Sequence, residues 1–218
     1  MMNSESKTTG RKIGVMGGTF NPIHIGHLLL AQAALTEYDL DIVMFLPSGN
    51  SYMKDENTIE EADTRMRMVQ LAIAGNPKFL ASDMDIKRVG NTYTCDTMQQ
   101  LKKEYPDDSF FFICGADCLF SIEKWKNPQV IFNNCTILAA VRNGVDVTQM
   151  NHKCDDLMHL FHGKAFLIPF PETAISSTDI RKHIALNKSI RYMVPEEVRG
   201  FIEENHLYNP KMNGAKGS

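Results

Sequence analysis

The stretch Gly17-Gly18-Thr19-Phe20-Asn21-Pro22-Ile23-His24-Ile25-Gly26-His27 stands between two segments of different character. Before it runs the apolar Ile13-Gly14-Val15-Met16; after it, Leu28 to Leu35 is rich in Ala and Leu. That order predicts strand, glycine turn, helix. Such a turn presents backbone N–H groups and the positive end of a helix, which together suit an anion. His24 and His27 have the spacing that puts both rings on one face at the helix start. Gly26 between them has no side chain, so a phosphate or nucleotide can approach the backbone. Phosphate chemistry is therefore the first expectation. The bland alternative is a pair of polar surface histidines at a helix cap. A zinc site would need further ligands, and none stands at suggestive spacing.

Outward from this stretch, short apolar runs alternate with helical patterns. Strands are predicted at residues 12–16, 41–46, 79–82, 109–114, 136–141 and 164–168. Helices are predicted at 27–38, 63–75, 93–105, 176–186 and 195–204, the second with Met66, Val69 and Ile73 on one face. Pro106 ends the third. Alternation of this kind implies right-handed βαβ units and a parallel sheet. The fold class is α/β, a Rossmann-like parallel sheet flanked by helices, in one domain spanning 11–209. Segments 1–10 and 210–218 are expected to be disordered tails. In such sheets ligands bind beyond the carboxyl ends of the strands, where strand order reverses. Gly17–Thr19, Pro47–Asn50, Gly115–Asp117 and Arg142 all follow predicted strands and would converge there.

The chain of 218 residues is long enough to bury a sizeable core. With 43% hydrophobic and 22% charged residues it has the composition of a soluble globular protein. A net charge of −3 gives no whole-molecule attraction to nucleic acid or an anionic membrane. No apolar run approaches the ~20 residues of a membrane span, and the polar first ten residues lack a signal-peptide core. The five cysteines are odd in number and include no Cys-x-x-Cys pair. A cytoplasmic, reduced protein is expected. Cys114 and Cys118 are read as strand-end and turn residues rather than a metal pair.

Three further segments carry chemistry. Ile175-Ser176-Ser177-Thr178-Asp179-Ile180-Arg181 puts hydroxyls at a helix start with an Arg one turn in. It reads first as a helix cap, a role compatible with a triphosphate grip. Gly115-Ala116-Asp117 ends a strand, where a carboxylate can take two ribose hydroxyls or cap a turn. Trp125, the single tryptophan, is a core anchor or a stacking platform for a flat ring.

With these motifs the chain resembles the bacterial nicotinate-mononucleotide adenylyltransferases, within the nucleotidyltransferase superfamily that carries (H/T)-x-G-H. The likeness runs from Lys12 to Tyr208. Residues 17–27 match the family's opening motif, and Ser176-Ser177-Thr178 through Arg181 match its I-S-S-T-x-x-R signature. Thr92-Tyr93-Thr94 with Asp96-Thr97 resembles S-Y-T-x-D-T, and Phe112 to Asp117 resembles the strand and G-x-D turn. Tyr192-Met193-Val194-Pro195 and Leu207-Tyr208 resemble the C-terminal region. Ser51-Tyr52-Met53-Lys54 replaces the family's P-P-H-K, so only the Lys is kept.

The resemblance implies adenylyl transfer from ATP to nicotinate mononucleotide, giving deamido-NAD and pyrophosphate. It implies ATP binding by Gly17, Gly18, Thr19, Phe20, His24, Gly26, His27, Gly115, Asp117, Ile175, Ser176, Ser177, Thr178 and Arg181. Of these, His24, His27 and Arg181 would be catalytic. It implies mononucleotide binding by Asn50, Lys54, Tyr93, Thr94, Trp125, Lys126 and Arg142. Mg²⁺ would travel with ATP and keep several waters, with no dedicated protein cage. The expected partners are the two substrates, with no nucleic acid or membrane, and a homo-oligomer stays open. Competing readings are a phosphopantetheine or cytidylyl transferase, a class I aminoacyl-tRNA synthetase, whose signature is also His-Ile-Gly-His, and a nucleotide sensor without turnover. The short chain, without Lys-Met-Ser-Lys-Ser, argues against the synthetase.

Overall fold

The computed structural model describes residues 10–49, 59–141, 146–169 and 174–209. Six parallel strands form one sheet: β1 (Lys12–Gly18), β2 (Ile42–Pro47), β3 (Phe79–Ala81), β4 (Ser109–Cys114), β5 (Thr136–Ala140) and β6 (Ala165–Ile168). Their order is β3-β2-β1-β4-β5-β6, so the order reverses between β1 and β4. The helices are α1 (Ile25–Glu37), α2 (Ala62–Ile73), α3 (Met84–Lys87), α4 (Thr94–Glu104), α5 (Ala116–Ser121), α6 (Pro128–Asn134), α7 (Val147–Phe161), α8 (Ser177–Ala185) and α9 (Glu196–Glu204).

Alternation along the strands splits the core in two. Ile13, Val15, Phe110, Phe112, Ile137 and Ala139 pack with Met98 and Leu101 of α4, Leu119 of α5, Ile131 of α6 and Leu157 of α7. Met16, Val43, Phe45, Ile113, Leu138 and Ile168 pack with α1, α2, Ile180 of α8 and Val198 of α9. Both faces are thus covered, as an all-parallel sheet requires.

Every predicted strand and helix is present, with shifted ends. β1 runs on to Gly18, and Gly17 and Gly18 pair with Leu46 and Pro47 of β2. The two glycines are strand residues, and the turn is Thr19 to His24. The buried face of α2 is Arg65, Met68, Val69 and Ile73; Met66 is half-exposed, contrary to expectation. Helices α3, α5, α6 and α7 were not anticipated. Asp146 caps α7 by accepting from the Thr148 N–H at 2.8 Å. That helix supplies the β5–β6 crossover. The tails at 1–9 and 210–218, and Asn50, Lys54 and Arg142, lie outside the described residues.

Candidate active site

The cleft begins where two strands stop pairing. β1 pairs with β4 only as far as Val15↔Phe112, then continues to Gly18 along β2. Past Val15 the carboxyl ends of β1 and β4 separate. A cavity of about 400 Å³ opens there, lined among others by Gly17, Gly18, Thr19, His27, Gly115 and Trp125. That volume suits a small-molecule site.

The two histidines occupy different places. His24 caps α1 with an extended backbone, and its ring stacks on that of His27 at 3.7 Å. His27 lines the cleft, whereas His24 is 8% exposed and is not on the wall. The surface-pair reading therefore fails for His24. The His24 backbone N–H donates to His27 Nδ1 at 3.2 Å. That bond requires an unprotonated Nδ1, so the neutral His27 ring carries its proton on Nε2. Burial lowers the His24 pKa from 6.5 to about 4, which keeps it neutral. Its Nδ1 is buried with no hydrogen-bond partner among the described residues. Phe20, expected at ATP, instead turns its ring into the core. It is 2% exposed and meets His27 edge-on at 5.1 Å, so it backs the histidine. Gly26 is buried in α1.

The C-terminal third holds this loop in place. Ser177 Oγ donates to Pro22 O at 2.9 Å, and Arg181 Nη1 donates to Asn21 O at 2.7 Å. Tyr208 OH donates to Asn21 Oδ1 at 2.9 Å, and Ile25 N–H donates to Met193 O at 3.0 Å. The I-S-S-T-x-x-R segment and the Asn21-Pro22 turn that leads into His-x-Gly-His, more than a hundred residues apart in sequence, are thereby docked on each other. Ser176 is a cap: its hydroxyl accepts from Asp179 N–H at 3.1 Å and donates to Asp179 Oδ2 at 2.7 Å. Arg181 Nη2 also donates to Thr178 Oγ1 at 3.3 Å. Ile175 is half-buried against the second core. These residues are not on the cleft wall itself, but they brace the loop that is.

On the β4 side, Thr94 and Trp125 line the cleft. Trp125 is fixed edge-on to Phe112 at 6.1 Å, and its Nε1–H donates to Ser121 Oγ at 3.3 Å. Tyr93 caps α4, with the Lys126 ammonium 4.3 Å over its ring and 3.0 Å from Asp96. Neither Tyr93 nor Lys126 is on the wall. Gly115 caps α5 and lines the cleft, while Asp117 in the first turn of that helix is exposed and off the wall.

Two residues, Arg65 and Asp85, escaped sequence reading. Arg65 is 2% exposed and donates to Thr19 O at 2.7 Å, Ser48 O at 2.8 Å, Glu60 O at 2.9 Å and Gly49 O at 3.4 Å. It joins the loops after β1 and β2, and its burial lowers its pKa. Asp85, on the wall, accepts from Thr97 Oγ1 at 2.7 Å and pairs with Arg88 at 3.4 Å. Burial nevertheless raises its pKa. A Cβ on Gly49 would meet Asp85 O at 2.6 Å, so this approach admits only glycine. Ser48 Oγ, also on the wall, is buried without a partner among the described residues. Among those residues no group of three or more His, Cys, Asp or Glu is placed to hold a metal ion, and no helix is long and apolar enough to cross a membrane.

A parallel sheet in this order, with a His-x-Gly-His loop at the switch point, defines a nucleotidyltransferase, and the cytidylyltransferase-like family model matches residues 15–183. A probable nicotinate-nucleotide adenylyltransferase of Lachnoclostridium phytofermentans is 43% identical, over 91% of this chain and 99% of its own length. One of Moorella thermoacetica is 39% identical over 93% and 94%. The chain belongs to the nicotinate-nucleotide adenylyltransferase family of enzymes. Its fold matches a Plasmodium falciparum nicotinic acid mononucleotide adenylyltransferase complexed with NaAD, at TM-score 0.74 and 19% identity, over 91% of this chain and 97% of that one.

Proposed function

We propose that the chain transfers the adenylyl group of ATP to nicotinate mononucleotide, producing deamido-NAD and pyrophosphate. The observation that supports this most is the shared cleft, where His27 and the Gly17–Thr19 segment meet Trp125 and Thr94. One part of the wall suits phosphates, and the other offers a fixed aromatic surface for a pyridine ring. The near full-length relatives are named as probable nicotinate-nucleotide adenylyltransferases, which agrees with this reading.

An oxygen of the mononucleotide's 5′-phosphate attacks the α-phosphorus of ATP in line. The bond to the bridging oxygen breaks, and pyrophosphate leaves with the electron pair. The attacking group is already an anion, so no protein nucleophile is needed, and catalysis is positioning plus charge stabilisation. The Nε2–H of His27 donates to an oxygen of the α-phosphate as charge shifts. His24, buried and neutral, positions His27 through its backbone N–H and its stacked ring. At the start of α8 the N–H groups of Ser177 and Thr178 have no intrahelical partner; with the Thr178 and Arg181 side chains they take the β- and γ-phosphates. Asp117 is assigned to the ATP ribose, and Asn50, Lys54 and Arg142 to the mononucleotide, from the family pattern alone. Mg²⁺ enters as part of the ATP substrate. A pyrophosphate-release assay with ATP across pyridine mononucleotides, phosphopantetheine and CTP-type donor–acceptor pairs tests the assignment. Release with ATP and nicotinate mononucleotide supports it, and release only with another pair overturns it.

A further inference from the structure

Two thiols that the proposed reaction does not use lie on the cleft wall. Cys114 ends β4, and Cys118 sits one turn on in α5. Gly115 caps that helix between them, with the Cys118 N–H donating to its carbonyl at 3.1 Å. Both cysteines line the cleft, beside Gly115 and Trp125. The other cysteines, Cys95, Cys135 and Cys154, are buried and are not on that wall.

The two thiols stand four residues apart on one cavity wall. Each shifts the other's ionisation, and the Gly115 backbone favours the Cys118 thiolate. These influences hold Cys118 below its ordinary value despite burial and the neighbouring Asp117. Cys114 is pushed well above its own. Cys118 is half-buried while Cys114 is buried, and the thiolate is the nucleophilic form of cysteine, so Cys118 is the attacking member and Cys114 the reserve. Cys135, by contrast, is raised to about 12 by burial and is inert.

We propose that Cys118 and Cys114 form a modification site inside the substrate cleft, where a small peroxide oxidises Cys118 and Cys114 resolves the product to a disulfide. The Cys118 sulfur attacks one peroxide oxygen. The O–O bond breaks, and hydroxide leaves and becomes water. Cys118 is now a sulfenic acid. The Cys114 sulfur displaces its hydroxyl, a second water leaves, and the S–S bond forms. Two thiols are oxidised and one hydrogen peroxide is reduced to two waters. The S–S bond is about 2.05 Å, shorter than any non-bonded approach of two sulfurs, so closing it draws α5 towards β4. Gly115, which joins the two elements, shifts with them and the cleft changes shape. Bound substrate occupies the route to both sulfurs and protects them. Only the loss of turnover and the protection rest on the cleft being the substrate site; the thiol chemistry does not.

The test treats the purified protein with a few equivalents of hydrogen peroxide, alkylates free thiols and maps the peptides. A linked Cys114–Cys118 peptide is expected, with at least a tenfold loss of activity that dithiothreitol reverses. Saturating ATP should slow the linkage. Cys118→Ser should form no link and, against its own untreated sample, keep its activity. Cys114→Ala should instead trap a sulfenic acid on Cys118 that reacts with dimedone. Oxidation spread over Cys95, Cys135 and Cys154 with Cys118 untouched would overturn the proposal. So would inactivation of Cys118→Ser at the wild-type rate. The peptide map reads the thiols directly, so a failed substrate assignment leaves its result standing.

Discussion

Replacing Arg65 with lysine should damage stability and turnover together. The guanidinium fork reaches four backbone carbonyls, those of Thr19, Ser48, Gly49 and Glu60. A lysine ammonium is a single compact donor group and from the same backbone position reaches one or two of them. At least two carbonyls then lose their partner in a buried place, at about 1–3 kcal/mol each. The weakest bond, to Gly49 at 3.4 Å, adds little. A net loss of about 3 kcal/mol is a fair central figure. In a domain of this size each kcal/mol moves Tm by about 2–4 °C, so the drop should be roughly 6–12 °C. Thr19 and Ser48 line the cleft, so freeing their carbonyls also loosens two walls of the site, and kcat should fall at least about tenfold. Thermal unfolding by circular dichroism gives the first quantity, and pyrophosphate release the second. An Arg65→Lys protein with the wild-type Tm and wild-type kcat would refute the reasoning.

Other substitutions separate the remaining roles. His27→Ala should lower kcat more than it raises KM, by about a hundredfold or more, the scale of one lost charge-stabilising donor; steady-state kinetics with near wild-type turnover would remove His27 from the mechanism. Arg181→Lys keeps the charge but loses the fork that holds Asn21 O and Thr178 Oγ1. Its KM for ATP should rise about tenfold, and unchanged ATP kinetics would return residues 176–181 to helix capping alone. For His24, the folded pKa of about 4 lies below the ordinary 6.5. Above pH 6.5 both folded and unfolded states are neutral and its contribution is intact. As pH falls from 6.5 to 4 the unfolded chain gains a proton that folded His24 refuses, and about 3 kcal/mol of stability is lost. Urea unfolding between those limits should show a flatter pH slope for His24→Asn than for wild type, and equal slopes would contradict the buried neutral ring.

The sheet was legible because each strand is a short apolar run closed by Gly, Pro or a polar residue. The missing helices have physical reasons. Pro128 reads as a break, but at the first position of α6 its absent N–H costs nothing. Helix α7 buries only Met150, Cys154 and Leu157, a thin stripe set among Asp and His residues. The histidine loop was legible because its residues are adjacent in sequence. Arg65 was not, because its carbonyl partners arrive from segments up to 46 residues away and a carbonyl leaves no mark in a sequence. The Phe20 ring illustrates the complementary case: a motif side chain can serve by backing its neighbour, here His27. Ser176 could be read as cap or as ligand, and its bonds to Asp179 establish the cap.

The most direct measurement is kcat/KM for nicotinate mononucleotide and nicotinamide mononucleotide with ATP, with the dinucleotide product identified by mass. With the pyridine ring placed between Thr94 and Trp125 as proposed, backbone N–H donors beside it would favour the carboxylate, since a hydrogen bond to a charged acceptor is worth about 1.5–3 kcal/mol. The amide turns an NH₂ towards one of them and leaves both unpaired. A preference of at least roughly tenfold for the acid is expected, at ~1.4 kcal/mol per decade, with deamido-NAD as the product. Equal use of the two acceptors would contradict the acid assignment, and absence of a dinucleotide from either would contradict adenylyl transfer to a pyridine mononucleotide.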